Sequence, residues 1–98
     1  MFSEIDQISL FAAKYFNIRE EDLYGKKTKA DVVMARWIVW YALHTEYKVT
    51  SYKLAEEFFR TRRGVMFALA KVRCWLEHQP CFQETYKSFL EKYKNQRK

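Results

Sequence analysis

The feature that most constrains the fold is an apolar run of twelve residues at positions 32–43. A helix over residues 29–46 would carry apolar side chains on almost every side, so its neighbours must cover it. We therefore predict that this helix is the central one. Arg36 is the only charged residue of the run, and because an unpaired buried charge is costly, we predict that it reaches the surface or a polyanion. The run is too short to cross a bilayer.

Glycine and proline are scarce, with two glycines and one proline among 98 residues. This scarcity favours helices with short connections over a turn-rich β sandwich. The helical spacing predicts a first helix that begins after Ser3 and ends at Asn17, and a helical turn over residues 20–24 with Gly25 just past its end. The predicted fold class is all-α, with five to six helices around one core in a single domain, residues 1–98.

A helix-turn-helix is predicted over residues 50–76. Thr50 and Ser51 can cap a short helix that runs to Phe59, and Thr61 can cap a longer helix that runs to His78. The packing face of the short helix is predicted to consist of Tyr52, Leu54, Ala55 and Phe58. The inward stripe of the longer helix is predicted to consist of Val65, Leu69, Val72 and Leu76. This stripe leaves outside, or to the sides, Arg62, Arg63, Met66, Phe67 and Ala70.

Basic residues outnumber acidic ones by 18 to 12, and the net charge of +6 favours polyanionic partners, nucleic acid ahead of an anionic membrane surface. Residues 58–76 contain no acid. Arg62 and Arg63 fall in the first turn of the longer helix, where free N–H groups favour a phosphate. Gly64 either lets a phosphate backbone come close or simply eases local packing. A second basic cluster consists of Lys26, Lys27 and Lys29.

Several stretches resemble one family of DNA-binding domains. Residues 13–18, AKYFNI, are followed by an Asp-Leu pair and then by the basic loop. Residues 34–36 (MAR) and 54–58 (LAEEF) match two further helices of that family. Over residues 8–90 the chain is similar to the C-terminal DNA-binding domain of the bacterial replication initiator DnaA, a Trp-repressor-like helix-turn-helix. The resemblance implies double-stranded DNA as the partner and a link to replication initiation or its regulation.

The resemblance also assigns roles to single residues. In the family the basic loop enters the minor groove through an arginine, and Lys29 stands at that position, preceded by Lys26 and Lys27. Arg36 corresponds to a position that contacts phosphate. Since lysine lacks the planar guanidinium fork, the loop is expected to bind phosphate more than to read the minor groove.

The signature motif of the family is altered in this chain. The family run Gly-Gly-Arg-Asp-His-Thr-Thr-Val is represented by residues 59–65, FRTRRGV, in which Arg60 and the final valine match. Thr61 and Arg62 stand where the family has its base-reading Asp and His. Arg62 and Arg63 favour guanine edges or phosphates, so the predicted DNA target differs from that of the family. The predicted DNA contacts are Lys26, Lys27, Lys29, Arg36, Arg60, Thr61, Arg62, Arg63 and Gly64.

The main alternative is a protein-interaction module on the same scaffold that has lost the sequence-specific reading of DNA. Phe59, Met66 and Phe67 lie off the inward stripe and are the surface candidates for such a module. Its partner would be another replication or regulatory protein.

Other classes of function have little support in the residues. Cys74, His78 and Cys81 have a spacing that a metal could use, but structural zinc needs four ligands and no convincing fourth is nearby. No nucleophile, base and orienting group form a catalytic arrangement, and a phosphate-binding G-x-x-x-x-G-K-S/T loop is missing, so we expect neither an enzyme nor a cofactor. Without a secretory signal, a cytoplasmic location with reduced thiols and no membrane partner is expected.

Overall fold

The computed structural model describes residues 3–26 and 28–96, and within them the chain forms six helices. They are α1 (Glu4–Tyr15), α2 (Glu20–Tyr24), α3 (Ala30–Glu46), α4 (Ser51–Glu57), α5 (Arg62–His78) and α6 (Pro80–Gln96). The predicted all-α fold is confirmed. Within these described ranges, no helix is long and apolar enough to cross a membrane.

Three of the six helices, α1, α4 and α5, begin where a short polar side chain accepts a bond from a free N–H group of the first turn. Ser3 Oγ accepts from the backbone N–H of Asp6 at 3.2 Å, in a capping box. Thr50 Oγ1 accepts from the N–H of Lys53 at 3.1 Å. The three predicted N-caps, Ser3, Thr50 and Thr61, are therefore confirmed.

Helices α1, α3 and α4 are each followed by a non-glycine residue in the left-handed conformation. Within the described part of the chain, Asn17, Lys48 and Phe59 have positive φ values of 56°, 60° and 57°. The prediction that Asn17 ends the first helix is confirmed, since Phe16 is the C-cap. Gly25 was predicted to lie just past the end of α2, which is wrong by one position: it is the C-cap itself, with φ at −86°. Its conformation is therefore open to any residue, and glycine is not required there.

The predicted central helix is confirmed as α3, which packs against α1, α2 and α5. Its apolar residues are covered on several sides, as its composition requires. Those that are buried are Val32, Ala35, Ile38, Val39, Trp40, Ala42 and Leu43.

The predicted stripe of α5 faces inward. Val65 and Val72 are fully buried, with Ala68 beside them, whereas Leu69 and Leu76 are half-buried against the same core. The residues predicted to lie outside this stripe are all exposed: Arg62, Arg63, Met66, Phe67 and Ala70.

An aromatic cluster joins the first helix to the last. Phe11 and Tyr15 of α1 and its C-cap residue Phe16 surround Phe89 of α6, with ring centroids 5.3 to 5.6 Å from that of Phe89. Tyr93 of α6 also donates a hydrogen bond to the carboxylate of Glu4. Buried rings of this size contribute much of the packing free energy of a small domain. The cluster therefore closes the fold on the side of α1 and α6.

Candidate nucleic-acid interface

The helix-turn-helix is formed by α4, residues 58–61 and α5, and the two helices pack against each other. Phe58 anchors the turn. Its ring is fully buried, stacks on Tyr24 at a centroid distance of 4.7 Å and meets the edge of Trp40 at 5.7 Å. The turn is thus fixed to α2 and α3, which gives the start of α5 a defined position relative to the core.

Tyr52 was predicted to pack inward on α4, and this prediction is wrong, because its side chain is 67% exposed. The ring instead supports Arg62, whose guanidinium carbon lies 4.2 Å from its centroid. Arg62 Nε also donates to Ser51 Oγ at 3.2 Å. Arg62 is therefore held over α4. The sequence could not predict this contact, because in so short a helix the position of Tyr52 fits the inner and the outer face equally well.

Arg63 is exposed, and among the described residues no partner holds its side chain. It follows Arg62 in the first turn of α5, where backbone N–H groups lack intrahelical acceptors. The side chains of the two arginines thus differ in how firmly they are held. Arg62 presents its charge from a supported position, whereas Arg63 is free to extend from the helix start.

A local contact explains why a glycine stands at position 64. Thr61 Oγ1 accepts a bond from the Gly64 N–H at 3.0 Å, which caps α5. A Cβ atom at position 64 would lie 3.1 Å from that same oxygen, closer than ordinary van der Waals contact. The geometry supports the packing interpretation of this glycine, and a role in the close approach of DNA stays a prediction.

Arg60 connects the turn to the basic loop. Its side chain is half-buried, and its Nη2 donates to the carbonyl of Gly25, which directly precedes the loop. Lys26 and Lys29 are exposed on that loop, and Lys29 is also the N-cap residue of α3. Lys27 lies outside the described residues. The contact places the start of the loop next to the turn of the helix-turn-helix.

The prediction that Arg36 reaches the surface is wrong. The residue is only 5% exposed, and its guanidinium donates to the backbone carbonyls of Asp22 at 2.8 Å and Leu23 at 3.2 Å. These carbonyls belong to the last turn of α2, where intrahelical donors run out. Burial lowers the pKa of Arg36, and the nearby charge of Arg60 lowers it further. Arg36 therefore caps α2 from the side and is too buried to contact DNA.

Phe59 occupies the turn in a left-handed conformation, with φ at 57° and 75% of its surface exposed. The N–H of Arg60 donates to the carbonyl of Ala55 at 2.9 Å, as at other helix ends of this type. Glycine adopts this conformation at no steric cost, whereas other residues lose roughly 1–2 kcal/mol. A phenylalanine here therefore costs stability without burying its ring.

Replacing Phe59 by glycine is expected to raise the free energy of unfolding by about 1 kcal/mol, since the left-handed backbone is relieved and little buried surface is lost. Urea denaturation followed by circular dichroism measures the change. Phe59→Ala is the matched control, because it removes the same ring but keeps a Cβ atom, and its stability should match that of the wild type. A glycine variant no more stable than the alanine variant would contradict the assigned strain.

The three residues whose spacing a metal could use do not form a metal site in the described part of the chain. Cys74, His78 and Cys81 are exposed, and both cysteines are free thiols. Within the described ranges, no group of three or more His, Cys, Asp or Glu side chains is placed to hold a metal ion.

The family model described as bacterial dnaA protein helix-turn-helix matches residues 5–72, which run from α1 past the middle of α5. The match includes α4, the turn, the start of α5 and the basic loop. No curated protein matches the chain. Since the family model covers more than half of its length, the chain belongs to the bacterial DnaA helix-turn-helix family, whose domains bind double-stranded DNA.

Proposed function

We propose that this chain binds double-stranded DNA with the first turn of α5 in the major groove and the loop 26–29 along the adjoining minor groove. The observation that carries the proposal is the exposed guanidinium of Arg63, which has no partner in the described part of the chain. The function served is replication initiation or its regulation, in keeping with the family.

The charges around α5 support binding to a polyanion. Residues 58–76 contain no acid, so nothing in this segment repels a phosphate. The N–H groups of the first turn and the helix dipole add a local preference for negative charge. The contact between Arg60 and Gly25 keeps the loop beside this helix start, so the two basic segments can meet one duplex together.

The two arginines at the start of α5 are suited to different tasks. Arg62, held by Tyr52 and Ser51, presents a fixed charge that suits a phosphate. Arg63 can extend its planar guanidinium to a base edge, and the bidentate partner that fits it best is guanine through O6 and N7. Lys26, Lys27 and Lys29 would bind phosphate, since an ammonium group is a point charge without a fork.

Fluorescence anisotropy with a mixed-sequence duplex tests the proposal. Arg62 and the three loop lysines would pair with four phosphates, so raising the salt from about 50 to about 200 mM should weaken binding roughly a hundredfold. Replacing Arg63 by alanine should weaken binding about 5- to 100-fold, since one base contact is lost.

Lys87→Ala is the matched control for Arg63→Ala. Lys87 is exposed on α6 beside Glu84 and Glu91, so it lies among carboxylates rather than on the basic surface. Its removal should leave duplex affinity within about twofold. If the wild type fails to bind any duplex at low salt, the proposal is wrong and the interaction module, with Phe59, Met66 and Phe67 as its exposed contacts, takes its place.

A further inference from the structure

A second surface lies beside the basic loop, and its aromatic walls are not among the proposed duplex contacts. It is an apolar groove of about 510 Å³ between the first half of α3 and the junction of α5 with α6. Its walls include Val33, Met34, Trp37, Trp75 and Phe82, and Thr28 of the basic loop lines one end. None of the described residues that line it carries a charge. The groove is thus an uncharged apolar surface with an entrance at the loop.

Aromatic rings continue along this surface without a gap. Trp37 stacks on Trp75 with a centroid distance of 5.6 Å and an interplanar angle of 23°. Phe67 meets the edge of Trp37 at 6.2 Å, and Phe82 meets that of Trp75 at 5.2 Å. Phe67 is 56% exposed, although a phenylalanine on a small domain is ordinarily covered. The row therefore offers aromatic surface to a ligand at its Phe67 end.

Basic side chains lie along the aromatic row. On α5, Arg63 and Lys71 lie four residues before and after Phe67, which places all three on one helix face. Lys71 Nζ is 5.6 Å from the Phe67 ring centroid. At the other end, Lys29 is exposed next to Thr28, and the nearby Asp31 carboxylate is folded onto the N–H of Val32 at 2.9 Å. Lys71 thus lies beside the Phe67 ring, and Lys29 follows the loop residue that lines the groove, so the rings and the two cations suit the bases and the phosphates of one strand.

We propose that this groove binds the unpaired bases of single-stranded DNA, which stack on Phe67 and the Trp37–Trp75 pair. The phosphates of the same strand lie near Lys71 and Lys29. Aromatic rings interleaved with basic side chains are how proteins hold single strands without sequence preference, because every base has a π face. A duplex cannot use these rings, since its bases are already stacked on each other. The assignment rests on the groove and does not depend on duplex binding.

Quenching of tryptophan fluorescence by an oligo-deoxythymidine of about twelve nucleotides tests the proposal. The oligomer should quench the wild type, and Phe67→Ala should weaken its binding about 5- to 100-fold, the loss expected for one stacked base. Phe67→Tyr keeps the ring and should bind as the wild type does. An abasic oligomer of the same length keeps every phosphate and should bind weakly with little quenching.

A second measurement needs no variant of the protein. In NMR spectra, the indole N–H signals of Trp37 and Trp75 should shift on addition of the oligomer, while that of the buried Trp40 should stay in place. Three results would overturn the proposal: no binding of the oligomer at low salt, equal binding of the abasic strand, or unchanged binding by Phe67→Ala with unmoved indole signals. The first two results would indicate that the groove binds a protein partner instead. Single-strand binding without duplex binding would overturn only the duplex proposal.

Discussion

Replacing Arg36 by methionine is expected to lower the free energy of unfolding by about 2–6 kcal/mol. Methionine has a similar volume, so the packing around position 36 changes little, but two buried carbonyls of α2 lose their donor. Each unsatisfied group costs about 1–3 kcal/mol. Urea denaturation with far-ultraviolet circular dichroism gives the value, and an unchanged m value would show that the unfolded state is the same.

Arg19→Met is the matched control for this substitution. Arg19 also pairs with Asp22, but its side chain is 72% exposed, so its loss should change the stability by less than about 1 kcal/mol. The stability lost in Arg36→Lys should fall between the losses in Arg19→Met and Arg36→Met, because one ammonium group cannot reproduce the planar pair of bonds to both carbonyls. If Arg36→Met unfolds at the urea concentration of the wild type, Arg36 does not stabilise α2 as assigned.

Replacing both Arg62 and Arg63 by glutamate is expected to abolish duplex binding, with a loss of more than about a hundredfold in affinity. Two favourable contacts disappear, each worth about 1–3 kcal/mol, and two carboxylates then face the phosphates. Fluorescence anisotropy at low salt, where electrostatic binding is strongest, is the measurement.

The fold should survive this change. Carboxylates in the first turn of a helix interact favourably with its dipole, by about 0.3–1 kcal/mol each, and this offsets the lost stacking of Arg62 on Tyr52. Loss of binding together with an intact unfolding midpoint therefore separates function from folding. The double variant Lys87→Glu and Lys92→Glu on α6 makes the same change in net charge away from α5, so it should keep most of the affinity. Equal losses in both double variants would mean that net charge, not the start of α5, governs binding.

The parts of the fold that could be predicted from the sequence are those set by neighbours in the chain. Ser3, Thr50 and Thr61 act on N–H groups three residues away, so a local pattern identifies them. The apolar run of α3 and the stripe of α5 follow from helical periodicity alone. The helix-turn-helix and the exposure of Arg62 and Arg63 follow from these two kinds of signal.

Two of the failed predictions, those on Arg36 and Tyr52, concern contacts between residues that are distant in sequence. Arg36 finds its acceptors 13 and 14 residues earlier, and Arg62 finds Ser51 11 residues earlier. The contact between Arg60 and Gly25 spans 35 residues. Periodicity states which face of a helix is apolar but not which neighbouring backbone will satisfy a charge. The sequence could therefore predict the basic segments of the site, but not the contacts that join and support them.

The bond between Tyr93 and Glu4 has a consequence for how the chain folds. Its two residues are 89 positions apart, so in the unfolded state their approach must close almost the whole chain, at an entropic cost that grows with loop length. The shorter-range pairings of α1 with α2 and α4 with α5 cost less and should form earlier. We therefore expect the docking of α6 onto α1 to be a late event, after the rate-limiting barrier. Interactions made after the barrier act mainly on the unfolding rate, so the aromatic cluster at the two ends should determine how long the folded domain persists rather than how fast it forms.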